Sequence, residues 1–484
     1  MSSSTLDNHH NHQHDELRHS DYCIALYYLY REIPDTAAHV RFQRTELCEP
    51  LALTGRIRVA TEGLNGVLSG RVADLRAYES QLLQYLAERS CGRSSTNNSS
   101  STLMIQPQAS DLDFKYCQLR TDLTVEEQLF PNLLVKETKT VIGLVDTPPP
   151  SSLGSTKASR KSKKRQQHTE TTKESGDEKD DTRISESAFV RQVYQRAMEQ
   201  FAKEEAEQLQ NKDSSQNTNS VHVPHLSPQE WDDRIQQLSE QPEQSVVFLD
   251  CRNVYESNVG HFRAAHTQTL LTNTRKFAEL PSVFVQQADR LAQSTHIFAY
   301  CTGGVRCERA TVFLKELLRE THPERAVPEI YQLKGGIQRY LEQHITASDQ
   351  HDATSSTSSS CLYKGKNFVF DPRRVDPMVH NGDDSGKDGG NNDDNAVVGR
   401  CLVCHEPHDD YDNGHAPALE RAARCWNCRV LILVCNKCRP KVSCWGDAHD
   451  NDGEMSVDDY LPRMYCGGLE QSCWHRPPVQ ILDG

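Results

Sequence analysis

His296-Ile297-Phe298-Ala299-Tyr300-Cys301-Thr302-Gly303-Gly304-Val305-Arg306-Cys307-Glu308 is the stretch that decides how this chain folds. A short apolar run ends in a cysteine, two glycines let the backbone curl, and an amphipathic helix begins at once, with Ala310, Phe313, Leu314, Leu317 and Leu318 at helical spacing. Such a turn aims several backbone N–H groups at one point, so Thr302, Gly303, Gly304 and Val305 form an anion nest around the sulfur. With Arg306 beside it, the Cys301 thiol should titrate well below the free value of about 8.5. Cys301 is therefore the expected nucleophile, and Arg306 the group that stabilises the thiolate or holds a bound anion. The loop reads Cys-x4-Arg, one residue shorter than the cradle a cysteine-dependent phosphatase needs, and suits a single sulfur or a small anion.

Working outward, Val246-Val247-Phe248-Leu249-Asp250 is a continuous apolar run of the kind buried in parallel sheets. Ile330-Tyr331-Gln332-Leu333-Lys334-Gly335-Gly336-Ile337 is a further strand entering a helix through two glycines, and Ser227-Pro228-Gln229-Glu230 is a capping box that starts a helix carrying Trp231. Strands alternating with helices predict a parallel α/β sheet whose site lies at the carboxyl ends of its strands. Asp250, Arg252 and Cys301 fall at such ends, and Asp250 and Arg252 are expected to pair with each other. Cys307, in the first helical turn, reads as a packing residue with a second possible role as a resolving thiol. His261 reads as a hydrogen-bonding brace.

The run Cys-Thr-Gly-Gly-Val-Arg-Cys-Glu resembles the signature of the rhodanese-like tRNA uridine hydroxylases. So do Tyr255-Glu256-Ser257-Asn258-Val259-Gly260-His261-Phe262-Arg263-Ala264-Ala265, the Leu333–Ile337 run and Gly365-Lys366-Asn367-Phe368-Val369-Phe370-Asp371. The resemblance implies a rhodanese-like domain and oxygen-dependent conversion of the wobble uridine of certain tRNAs to 5-hydroxyuridine, with the loop cysteine required. It makes tRNA the partner and molecular oxygen the co-substrate. The residues themselves reach only an activated thiolate beside an arginine, and the electron source is not legible. Two other readings stay open: a sulfurtransferase in which Cys301 carries a persulfide from a small sulfur donor, and a non-catalytic zinc-containing binding protein.

Upstream, alternation begins at Tyr22 and continues through Tyr30. A helix over Leu47 to Leu53, a strand Arg56 to Ala60, a turn Glu62-Gly63-Leu64-Asn65-Gly66, a strand Val67 to Ser69 and a helix Val72 to Ala87 follow. Strands near Phe114 to Leu119 and Leu133 to Leu144 complete a β-α-β-β-α-β order. This predicts an α+β domain of ferredoxin-like or acylphosphatase-like type, and the Glu-Gly-Leu-Asn-Gly run resembles the N-terminal domain of the same family. Its role is packing or dimerisation, or RNA docking through Arg56, Arg58 and Lys115. The linker that follows carries one helix with Phe189, Val193, Ala197 and Phe201 along a narrow apolar stripe, expected to lie on a neighbouring domain.

Nine of the 17 cysteines follow residue 400. Cys401-x2-Cys404, Cys425-x2-Cys428 and Cys435-x2-Cys438 each present two thiolates to one tetrahedral ion, and with Cys444, Cys466 and Cys473 they predict structural zinc. Two sites need eight ligands; Cys444 and one of Cys466 or Cys473 are expected to complete them, with His405 and His408 in reserve. The chain accordingly divides into a disordered tail 1–20, an α+β domain 21–146, a linker 147–221, a rhodanese-like domain 222–346, a low-complexity linker 347–398 with a family segment at 363–376, and a cysteine-rich module 399–476.

The chain has 484 residues, of which 36% are hydrophobic, and a net charge of -14; its mean hydropathy is -0.70. No apolar run approaches the roughly 20 residues of a membrane span, and the charge argues against a uniformly basic surface. A soluble cytoplasmic protein without a cleaved signal is expected. The basic block Lys157, Arg160, Lys161, Lys163, Lys164 and Arg165, followed by acids from Glu174 to Asp181, reads as a solvated linker, with phosphate gripping or nuclear import as its other uses. His9, His10, His12 and His14 sit in the low-complexity tail.

Overall fold

In the computed structural model, which describes residues 18–91, 112–119, 124–145, 185–210, 221–350, 361–369, 375–376, 397–411, 422–445, 461–469, 473 and 479–484, the chain opens as the alternation requires. The N-terminal histidines, the polar insert at 94–101, the charged blocks at 157–181 and the runs at 351–360 and 381–395 lie outside the described residues.

The first domain runs β1 (Tyr22–Tyr30), α1 (Thr36–Arg41), β2 (Thr54–Ala60), β3 (Gly63–Arg71), α2 (Val72–Cys91) and β4 (Lys115–Gln118). A short α3 (Val125–Gln128) then leads into β5 (Leu133–Glu137). The sheet order is β4-β1-β3-β2-β5. Its first four strands are antiparallel in the ferredoxin-like order, and β5 adds in parallel on β2.

Two local expectations are corrected here. The first helix lies upstream of Leu47–Leu53, because Asp35 caps it by accepting from the Ala38 N–H at 2.8 Å, and it continues as π-helical turns over Phe42–Cys48. The hairpin turn is Thr61-Glu62: Ala60 pairs with Gly63, so Gly63, Leu64, Asn65 and Gly66 belong to β3. Gly66 serves close approach instead. A Cβ there would sit 2.3 Å from two Tyr27 ring carbons.

In α4 (Glu186–Gln210) the apolar stripe places Val193 and Ala197 out of solvent against the rhodanese core, and Arg196 bridges Glu320 at 2.7 Å. The rhodanese domain then alternates: β6 (His225–Leu226), α5 (Pro228–Ser239), β7 (Val246–Asp250), α6 (Val254–Ser257), β8 (Gly260–Phe262), β9 (Thr267–Leu271), α7 (Leu280–Gln286), α8 (Ala288–Leu291), β10 (His296–Tyr300), α9 (Val305–Thr321), β11 (Glu329–Leu333) and α10 (Gly336–Gln350). Strands β9-β7-β10-β11-β6 are parallel. Every residue of β7 and β10 is buried, as strands covered on both faces must be. Trp231, started inward by the Ser227–Glu230 capping box, packs edge-on against Phe298 at 5.0 Å.

Two later segments return to this domain. β12 (Tyr363–Gly365) pairs antiparallel with β8, so the family segment is part of the rhodanese core, and β13 (Asn367–Phe368) and β14 (Val375–Asp376) form a small hairpin beside it. After β15 (Met464–Tyr465) and β16 (Gly468–Leu469) of the cysteine module, β17 (Gln480–Asp483) crosses back to pair antiparallel with β9. Among the described residues no helix is long and apolar enough to cross a membrane.

Candidate active site and cysteine quartets

Cys301 stands at the carboxyl end of β10 and is fully buried. Gly304, at φ +96°, turns the chain so that its N–H donates to Cys301 Sγ at 3.2 Å. Burial pushes the Cys301 thiol up. Hydrogen bonding from Cys307, the Arg306 guanidinium charge and the backbone N–H groups of Cys307 and Arg306 outweigh that burial and bring it down to about 6. A thiolate at neutral pH follows.

The second Gly-Gly turn holds the first. At the start of α10 the N–H groups of Ile337 and Gln338 donate to the carbonyls of Cys301 and Thr302, each at 3.0 Å. Gly336 has φ +68°, and a Cβ there would lie 2.5 to 2.8 Å from Cys301 O, Thr302 O and Gly303 N. No side chain fits between these loops.

Arg306 does not reach into an open anion site. It is buried, and its two terminal nitrogens donate to the two carboxylate oxygens of Glu256 at 2.6 Å each, with one also donating to Thr302 Oγ1 at 3.0 Å. Burial pushes Glu256 up, but the Arg306 charge and hydrogen bonds outweigh it and hold the carboxylate below its ordinary range. Glu256 also closes a capping box with Asn253, which fixes α6. The sequence reading missed Glu256 as a partner of Arg306. The Asn-x-x-Glu spacing signalled a helix start but not a contact fifty residues along the chain.

Asp250 and Arg252 pair internally, both without solvent exposure, at 2.7 Å, and Arg252 also donates to Gly260 O and Tyr363 Oη. Burial lowers His261 to about 4, so it stays neutral at physiological pH and braces Ser257 O. Cys307 is buried and hydrogen-bonded to both Cys301 and Cys251, and burial first and these thiols second raise it well above its ordinary value.

The N-terminal domain closes over this loop. Tyr28 Oη donates to Glu308 at 3.1 Å, Tyr30 Oη to Val305 O at 3.3 Å, and Arg309 reaches back to Glu62 at 2.9 Å. Of the three cations expected to dock RNA, Arg58 is exposed, Arg56 is turned onto Asn132 O at 2.7 Å, and Lys115 is 1% exposed. Lys115 thus departs from a surface role, because β4 directs it under the domain and onto Asp113.

Eight cysteines gather into two quartets, Cys401, Cys404, Cys435 and Cys438, and Cys425, Cys428, Cys466 and Cys473, each with its sulfurs within 4.8 Å of one another. Thiolates on one tetrahedral zinc at about 2.3 Å sit roughly 3.8 Å apart. Cys404 and Cys435 are at 3.7 Å, Cys428 and Cys466 at 3.9 Å, and Cys466 and Cys473 at 3.3 Å. Backbone N–H groups of Val403 and Cys435 point at Cys401 Sγ, so the donor set fits a metal. Cys444 is corrected: it is buried but lies in neither quartet, and both Cys466 and Cys473 are used. The reason is the β15–β16 hairpin, which presents Cys466 to Cys428 while Ser443 bridges to Arg463. His405 and His408 are in neither quartet. The module packs on α6 through Val254 and Tyr255, and Tyr411 donates to Tyr255 O at 2.9 Å.

Residues 22–141 match the UPF0176 acylphosphatase-like domain, 228–343 the rhodanese-like domain and 364–446 the rhodanese C-terminal domain. A protein of Onion yellows phytoplasma (strain OY-M) named tRNA uridine(34) hydroxylase is 26% identical over 407 residues, 84% of this chain and 87% of the relative. Through these domains the chain is similar to tRNA uridine(34) hydroxylases along most of its length. The tRNA uridine(34) hydroxylase of Chlamydia pneumoniae is 32% identical over 45% of this chain and 52% of its own. Rhodanese-like domain-containing protein 6 of Arabidopsis thaliana is 34% identical over 45% of this chain, which spans only 30% of that relative's length. In this chain the acylphosphatase-like domain seats Tyr28 and Tyr30 against the loop of the rhodanese-like domain.

Proposed function

We propose that this protein hydroxylates the wobble uridine of tRNA at C5, with Cys301 as its nucleophile and molecular oxygen as co-substrate. The observation that carries the reading is the thiol held at about 6 at the carboxyl end of β10, beneath an N-terminal domain shared with the tRNA-modifying relatives. The Cys301 thiolate adds to C6 of the pyrimidine. The S–C6 bond forms, the C5=C6 π pair moves toward O4 as an enolate, and C5 becomes the electron-rich carbon that oxygen attacks. One oxygen atom enters at C5, and an external two-electron reductant with two protons takes the other to water; loss of the C5 proton then breaks the S–C6 bond, restoring the C5=C6 double bond and the Cys301 thiolate. Arg306, neutralised by Glu256, stabilises the loop and the thiolate, while Thr302, Gly303, Gly304 and Val305 supply the turn. Asp250 and Arg252 tie β7 to β8 and β12 beneath the site.

The two cysteine quartets hold structural zinc. Four thiolates leave no open position for water, and the ions would supply folding energy to a module with a small core. The cytoplasm, where tRNA and reducing conditions coincide, is the compartment this reading assigns.

The test is mass spectrometry of tRNA nucleosides from cells lacking the protein, re-supplied with wild type or Cys301→Ala. Loss of 5-hydroxyuridine and its derivatives, restored by wild type alone, is expected. An unchanged nucleoside profile would overturn the reading in favour of sulfur transfer.

A further inference from the structure

The cation nearest the chemistry in sequence, Arg306, is turned onto Glu256 and Thr302. A second cation comes from the other domain. Lys115 Nζ lies 2.7 Å from Asp113 Oδ2 and 3.2 Å from Asp113 O. An ammonium has three N–H donors, so one is left with no protein acceptor among the described residues, on a side chain 1% exposed. Leaving a buried donor unused is costly unless something else takes it.

The surroundings show where that donor sits. Lys115 Nζ lies 5.4 Å from the centre of the Tyr28 ring. The Tyr28 hydroxyl in turn overhangs Gly304 so closely that a Cβ there would be 2.9 Å away. Asp113 Oδ2 would be 3.2 Å from a Cβ on Gly335, in the second glycine turn. Lys115 is therefore suspended over both loops that hold Cys301; burial lowers its ammonium, and Asp113 first and the Cys301 charge after it act to keep the proton on. Asp113 does not depend on Lys115 alone, since Arg339 donates to Asp113 Oδ1 at 2.8 and 3.1 Å.

We propose that Lys115 completes the active site across the domain boundary, as the donor to the substrate oxygen that becomes an enolate when Cys301 adds to the ring. This deepens the hydroxylase reading and rests on it. The ligand chemistry is a planar cyclic imide or amide carbonyl conjugated to the carbon that sulfur attacks. In the step, the electron pair of the broken π bond resides on that oxygen and the Lys115 ammonium hydrogen-bonds to it; the ammonium keeps its proton. Before substrate binds, the same charge favours the thiolate.

The experiment compares Lys115→Met and Lys115→Arg with wild type in full-length protein. The readouts are steady-state hydroxylation of tRNA and the pH titration of thiolate ultraviolet absorbance, each corrected by its Cys301→Ser counterpart. For Lys115→Met, kcat should fall about 10²- to 10³-fold with KM for tRNA little changed, as for loss of one oxyanion donor. Its Cys301 titration should move to higher pH, while Lys115→Arg keeps the titration near that of wild type. A purely structural lysine would favour the apolar, length-matched Met over the bulkier Arg. Met with kcat within threefold of wild type, or an effect on KM alone, overturns the proposal. The thiolate titration does not involve tRNA: an unmoved Cys301 in Lys115→Met refutes the placement of Lys115, whereas a wild-type protein that makes no 5-hydroxyuridine refutes the underlying reading.

Discussion

Replacing Glu256 by Gln separates two effects that the wild-type site combines. Glu256 and Arg306 are both buried and meet through two 2.6 Å hydrogen bonds. Removing one partner of a buried ion pair leaves an uncompensated charge and costs roughly 3–5 kcal/mol. At about 2–4 °C per kcal/mol for a folded unit of this size, melting should fall by roughly 6 to 20 °C. The thiol should respond in the opposite sense to stability. With the neighbouring carboxylate gone, the Arg306 charge acts on Cys301 undiminished, so the thiol titrates lower still, whereas Arg306→Met should raise it above 6. Replacing both residues with apolar groups should recover part of the lost stability, because the orphaned charge disappears with its partner. Thermal melting by circular dichroism and the thiolate absorbance titration read the two effects separately. A Glu256→Gln protein that melts within 2 °C of wild type (set against the roughly 6 °C minimum expected), or whose Cys301 titrates higher, would refute this account of the pair.

Three further outcomes are expected. Thiolate absorbance of wild type minus Cys301→Ser should show a midpoint near 6. Since this folded value lies below the unfolded one of about 8.5, the stability it contributes is present above that value and lost as pH falls through about 6. Metal analysis should find that Cys444→Ala keeps the zinc content of wild type while Cys466→Ala loses one of the two ions, and equal losses from both would contradict the quartets. Gly336→Ala, whose Cβ would meet three backbone atoms, should destabilise beyond the ~3 kcal/mol that bounds most point substitutions, and a normal melting curve would show that the two glycine turns are not interlocked.

Local chemistry made much of this molecule legible. The Ser227–Glu230 capping box, the apolar β7 and the Cys-x4-Arg turn each specify their own conformation within a few residues. The unreadable parts depend on chain segments meeting from afar. Glu256 meets Arg306 only once β7 and β10 pair in register, Tyr300 opposite Asp250. Lys115 looked like a surface cation because alternation in a four-residue strand does not say which face another domain will cover. Cys444 was the natural next cysteine after three knuckles. Only the β15–β16 hairpin, too short to announce itself, brings Cys466 into its place. Gly66 looked like a turn residue, and its real constraint, the Tyr27 ring, lies on another strand.

The pairing of β17 with β9 also sets an order of events during synthesis. Gln268 hydrogen-bonds Asp483, 215 residues later, so β9 emerges from the ribosome long before its edge partner exists. Until residues 480–483 follow, that edge is an open template for other strands. Closing so long a loop carries an entropic cost that grows with the length of free chain. A metal ion held by each cysteine quartet would tie those segments into one body resting on α6 and shorten the free segment β17 must search. If the quartets take zinc as proposed, a newly made chain starved of it would be left with a parallel sheet unsealed on one side, and its first failure would be aggregation through β9.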